Sequence, residues 1–346
     1  MILEKQPINN PRPFWYLVFG LILMIGMTIG LANYQSTGAA LSTFSTVFLG
    51  IFIEAIPFLL LGTLASGLVE VYVNQQLIRR LTPRSPILGA FLGGFLGLLF
   101  PVCECGVVPL VRRLYRKGMP VSTGIAFLMA APVINPIVIL STVTAFGWSK
   151  MLWMRIGFSF LIAVITGLVF AFVSSSGEVL KAESISSEDD CGDNGYVCCH
   201  QSHEISGRSH IQKLSDVFRT ALGELFEMGR YLIMGGLIAA ALQAFIPQSI
   251  LLNVAKGPVL SVLVMMALAV ILSICSTVDS FVALGFVGIF STGSVLSFLL
   301  YGPMVDIKSI LMFSQVFKPR AVLYLVVLPL VFVLLIGVSL NYFWVF

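Results

Sequence analysis

PVCECGVVPLVRRLYRKGMPVSTGIAFLMAAPVINP, residues 101–136, decides how the rest of the chain is read. It stands inside otherwise lipid-soluble sequence, yet it holds two cysteines, a carboxylate, an asparagine and five prolines. A bilayer interior tolerates polar groups and broken backbone only where protein or a water-lined cavity satisfies them. One reading is a packed, kinked helix pair with small polar residues as glue. The other is a substrate site within the membrane.

The sequence around this stretch fits a membrane class. Hydrophobic residues make up 58% of the 346 positions and charged ones 10%, against roughly 25% charged in soluble domains. Mean hydropathy is +0.99. The net charge of +4 comes with no dense basic stripe, so a nucleic-acid partner is not expected. Six scattered cysteines are too few for a disulfide scaffold. The first apolar run, residues 14–31, lacks a small-residue cleavage site; it reads as a first transmembrane helix and not as a cleavable signal. A second span, about 42–73, carries Pro57 as a source of tilt or kink.

Basic residues flank the decisive stretch on both sides: Arg79, Arg80 and Arg84 before it, Arg112, Arg113, Arg116 and Lys117 within it. One full crossing between these clusters would break the positive-inside rule. A hairpin entering and leaving on the cytoplasmic side satisfies it, with its tip near residues 101–105. Residues 120–147 then cross outward, interrupted by Pro132 and Pro136, and 151–173 cross back.

The pattern then repeats. EAIPFLLLGTLASG from Glu54 resembles EMGRYLIMGGLIAA from Glu227, with Gly62 matching Gly235. Cys103 lines up with Cys275, Phe127 with Phe298, Pro132 with Pro303 and Asn135 with Asp306, at an offset of 171–173 residues. The second hairpin turn, residues 285–294, carries no basic residue, so the two hairpins enter from opposite faces. The fold expected is an all-α polytopic membrane protein of two inverted-topology repeats with broken helices and hairpins, about 8–11 membrane segments in all. Its divisions are residues 1–34 (polar lead and first span), 42–173 (first repeat), 174–215 (polar linker) and 216–346 (second repeat). The N-terminus and the linker are expected in the cytoplasm and the C-terminus outside, in a cell membrane.

Cys103 and Cys105 are thiols one residue apart, a pair that chelates a soft ion or trivalent arsenic. Cys275 is the counterpart in the second half. With the broken-helix positions Pro132, Asn135, Pro303 and Asp306, these residues form the expected substrate site near the midplane. Asn135 and Asp306 fit equally well as helix caps. Thiols shed protons on binding such a ligand, and Glu104, Glu54 and Asp279 are candidate proton acceptors. Glu227 has Arg230 one turn on as a partner. In the linker, Cys198, Cys199, His200 and His203 place four soft donors within six residues, suited to zinc or cuprous copper.

Two elements together, CECGVVP at 103–109 and FLMAAPVINP at 127–136, resemble the ArsP/YraQ type of predicted permeases, and the likeness runs from the second span to the C-terminus. The resemblance implies a permease that in some members exports trivalent organoarsenicals through cysteines. In other branches, with a Cys/His loop, it implies copper or zinc efflux. An enzyme is not expected: no Cys-x-x-Cys pair, no His-Glu-x-x-His and no phosphate-binding loop is present. A membrane thiol sensor that transports nothing is the third reading. Partners expected are the bilayer, a metal or metalloid substrate and, for the metal branch, a metallochaperone; no cofactor is called for.

Overall fold

The computed structural model describes residues 37–83, 85–173, 179–181, 210–245 and 257–343. The first apolar run and most of the linker, with Cys198, Cys199, His200 and His203, lie outside the described residues. Every element among the described residues is a helix, apart from two isolated bridges.

Thirteen helices are described. In the first half they are α1 (Thr37–Tyr72), α2 (Gln75–Leu81), α3 (Pro86–Leu99), α4 (Glu104–Arg116), α5 (Val121–Ile134), α6 (Pro136–Phe146) and α7 (Lys150–Val173). The second half follows with α8 (His210–Phe245), α9 (Pro258–Leu272), α10 (Asp279–Leu284), α11 (Thr292–Met304), α12 (Ile307–Val316) and α13 (Pro319–Phe343). Apart from the short α2, the two halves match element by element. α1 and α8 are both 36 residues long.

Among the described residues six stretches are long and apolar enough to cross a membrane: α1, α5 with α6, α7, α8, α11 with α12, and α13. The shorter apolar helices α3 and α9 each lead into a hairpin, closed by α4 and α10. Pro57 lies inside an unbroken α1. The expected interruption at Pro132 falls elsewhere: that proline sits within α5, and the helix stops at Asn135, ahead of Pro136. Pro303 likewise lies inside α11, and the break comes at Val305–Asp306. A proline disfavours helical backbone in the residue before it, which places the first break at Asn135.

Packing repeats as well as sequence. Gly97 of α3 abuts Ala130 and Ala131 of α5, and in the second half Ala269 of α9 abuts Gly302 of α11. Gly167 of α7 faces Ser122 and Ala126, as Gly337 of α13 faces Gly293 and Ser297. Small residues at these crossings let backbones approach where no hydrophobic drive exists between helices in lipid. Between the halves, Gly67 near the end of α1 meets Val217 near the start of α8. Gly236, late in α8, faces Phe48 and Ile51, early in α1. The two equivalent helices therefore run antiparallel. One half is inverted relative to the other.

A candidate intramembrane substrate site

The site grows from four interruptions of the helical backbone, two in each half. Phe100 to Cys103 separate α3 from α4 in extended backbone, with Cys103 as the residue before the α4 turn. Residues 273–278 separate α9 from α10, opened by Ser273 in the left-handed region at φ 45° and ψ 37° and closed by a turn at 276–278. A serine there is strained, and such strain collects at functional sites.

Within each half the hairpin break is tied to the span break. Asn135 Nδ2 donates to the Val102 carbonyl at 3.2 Å and to Ala131 at 2.9 Å, while its Oδ1 accepts from the Val138 amide at 2.9 Å. Asp306 caps α12 by accepting from the Ser309 amide at 2.6 Å, and Ser309 Oγ accepts from the Asp306 amide in return. The Ile307 amide donates to Ser273 Oγ at 3.4 Å. Both residues of the Asn135/Asp306 pair are caps, and a cap leaves room for a further contact through the remaining carboxylate oxygen of Asp306.

The thiols meet across the halves. Cys103, Cys105 and Cys275 are free cysteines exposed by 3%, 1% and 4%. The Cys103 thiol lies near enough to interact with those of both Cys105 and Cys275. Among the described residues no group of three or more His, Cys, Asp and Glu side chains is gathered at metal-site spacing. The thiols adjoin without forming a preset metal cage.

Two buried cations complete the centre, and neither was among the residues singled out from sequence. Lys308 of α12, 2% exposed, holds Asp306 Oδ2 at 3.3 Å and reaches into the first half to Glu104 Oε1 at 3.5 Å. Arg155 of α7, fully buried, grips Asp279 of α10 at 2.6 and 3.1 Å and donates to Ser280 at 2.8 Å and Thr142 at 3.1 Å. Each hairpin helix thus opens with an acid, Glu104 or Asp279, that is paired with a base from the opposite half. An ionisable residue inside an apolar span is by itself a functional signal. Lys308 and Arg155 carried that signal; Asp306 stands two positions from Lys308, whereas Glu104 and Asp279 lie over a hundred positions from the cations they pair with.

Glu54 accepts a hydrogen bond from Thr277 Oγ1 at 3.3 Å, which brings α1 to the second hairpin. Glu227 pairs with Arg112 at 2.7 Å; the expected Arg230 contact is replaced because α4 lays its basic face on α8. Arg113 holds Glu224 at 2.5 Å, and Lys117 Nζ donates to the Glu70 and Val73 carbonyls at 2.6 and 2.7 Å, capping the end of α1. Pro132 and Pro303 are buried one turn before their breaks.

Residues 40–342 match the family model ArsP_1, described as predicted permease. The chain belongs to this permease family. It is 41% identical over 292 residues to UPF0718 protein YcgR of Bacillus subtilis, covering 84% of this chain and 94% of the relative. It is 37% identical over 297 residues to a Streptococcus mutans protein named as a two-component membrane permease complex subunit, again 84% and 94%. UPF0718 protein YraQ of Escherichia coli is 26% identical over 110 residues, 32% of this chain and 31% of that protein. No solved structure matches the chain significantly. With six apolar stretches of spanning length among its described residues, this family member is a multi-pass membrane permease.

Proposed function

We propose that this permease is a secondary exporter of a soft metal ion or a trivalent organoarsenical, bound through Cys103, Cys105 and Cys275. One observation carries the reading: thiols from both inverted halves lie within interaction range, buried, where the broken helices converge. A thiolate ligand selects soft species, and a site shared by two halves changes shape when one half rocks against the other. The substrate enters from the cytoplasm of a cell, on the face of the basic hairpin turn, and leaves on the other. Asn135 and Asp306, with Pro132 and Pro303 behind them, hold the breaks in place. Glu104 and Glu54 take the protons that the thiols release. Asp279, clamped by Arg155, pins the second hairpin. After the Streptococcus mutans relative, a second membrane subunit is proposed as a partner.

Binding tests the reading without transport. In a variant whose loop cysteines Cys191, Cys198 and Cys199 are serine, purified protein is titrated with methylarsenite and with cuprous copper. One equivalent of one of these should be retained per chain. Cys103→Ser or Cys105→Ser should release it, weakening retention at least about tenfold, the loss of roughly one ligand contact of 1.4 kcal/mol. Equal retention by the serine variants, or retention of neither species by the parent, would contradict the thiol site.

A further inference from the structure

Lys308 holds a place that a mobile ion would fit. Its ammonium lies between Glu104, which opens α4 of the first half, and Asp306, which caps α12 of the second. Two buried carboxylates thus share one cation. Glu54 adds negative charge on the Glu104 side, and Cys105 and Cys275 lie within electrostatic range of the ammonium. Among the described residues Glu104 Oε2 has no hydrogen-bond partner, and Asp306 Oδ2 has none beyond its ion pair. Removing a carboxylate from water demands a partner for its charge, and Glu104 Oε2 is left calling for one.

The two buried cations differ in grip. Arg155 clamps Asp279 with two nitrogens, at 2.6 and 3.1 Å. Lys308 stands off at 3.3 and 3.5 Å on a flexible four-carbon stem. A compact ammonium on such a stem resembles a small hydrated cation more than a structural clamp. The donors are oxygens, which suit hard ions, and two carboxylates fall short of the set a calcium-type site uses. The site lies between broken backbone segments, the usual setting of a monovalent ion at interrupted helices.

We propose that Glu104 and Asp306 form a binding site for a small monovalent hard cation, sodium or potassium, and that the Lys308 ammonium is its tethered stand-in. Entry of the cation frees Lys308 and undoes the tie between α4 and α12, which is a tie between the halves. Return of the ammonium restores it. The site shares Glu104 and Asp306 with the proposed thiol site, but it is read with no soft substrate present, so its failure is distinguishable from failure of the thiol reading.

Thermal unfolding of the purified full chain, at fixed pH in sodium, potassium or choline chloride, reads this site. Wild type should unfold alike in all three salts. Lys308→Met should gain about 2–4 °C in sodium or potassium over choline, and Lys308→Met with Glu104→Gln should lose the gain. Equal unfolding of Lys308→Met in the three salts would overturn the proposal. Should that variant not accumulate as folded protein, wild type carries the test through acylation of Lys308 by acetic anhydride, counted by mass spectrometry. Acylation should rise several-fold in sodium or potassium relative to choline; equal rates overturn the proposal.

Discussion

Arg155 has no acid near it in sequence to balance its charge, yet it is fully buried in α7 and paired with Asp279 of the opposite half. Desolvating both charges costs free energy that only the pair's geometry recovers. Arg155→Met strands a carboxylate in the interior and should cost about 3–5 kcal/mol. Replacing both, Arg155→Met with Asp279→Leu, should recover most of that loss. Thermal unfolding in detergent checks the pair, and a double variant as unstable as the single one would show that the arginine packs and does not neutralise. At this scale the sequence was legible wherever a residue had a counterpart at the repeat offset. Cys103 with Cys275 and Asn135 with Asp306 were found that way, and each pair does occupy equivalent breaks. Lys308 and Arg155 were missed because no matching charge stands at their equivalent positions: Ile137 and Val326 do, at an offset of 171 residues. The repeat therefore hid two of the residues that tie its halves together.

The helices owe their paths to small residues more than to propensity. α3 buries Gly89, Gly93, Gly94 and Gly97 and leaves Phe91 and Phe95 exposed on the opposite side. A methyl at Gly97 would lie 2.6 Å from the Ala130 side chain, while one at Gly50 of α1 would meet nothing within 4 Å. Gly97→Leu should therefore cost about 1–3 kcal/mol by overpacking, and Gly50→Leu close to nothing. Melting temperatures of the two variants decide it; equal shifts would mean that α3 does not lie against α5. Spans and hairpins were legible from hydropathy and charge, since lipid forces every backbone group into helix. The positions of the breaks were less so. A proline reads as the break itself, whereas here Asn135 and Asp306 take the caps and the prolines Pro132 and Pro303 stay inside the preceding helices.

For the whole molecule, the antiparallel packing of α1 on α8 joins the two halves, and the hairpins bring the breaks to one buried centre. Charge asymmetry between the hairpin turns predicted this inversion because the positive-inside rule acts on loops, which remain readable when the interior is uniform. What crosses was not legible, since a thiol pair fits several soft species alike. The direct test is uptake by everted membrane vesicles of methylarsenite, arsenite, zinc and cuprous copper. Wild type is run beside Cys103→Ser, Cys105→Ser and Cys275→Ser. The account predicts that one soft species accumulates and that all three serine variants lose most of it. Accumulation of none, or undiminished accumulation in those variants, would contradict a thiol-lined path.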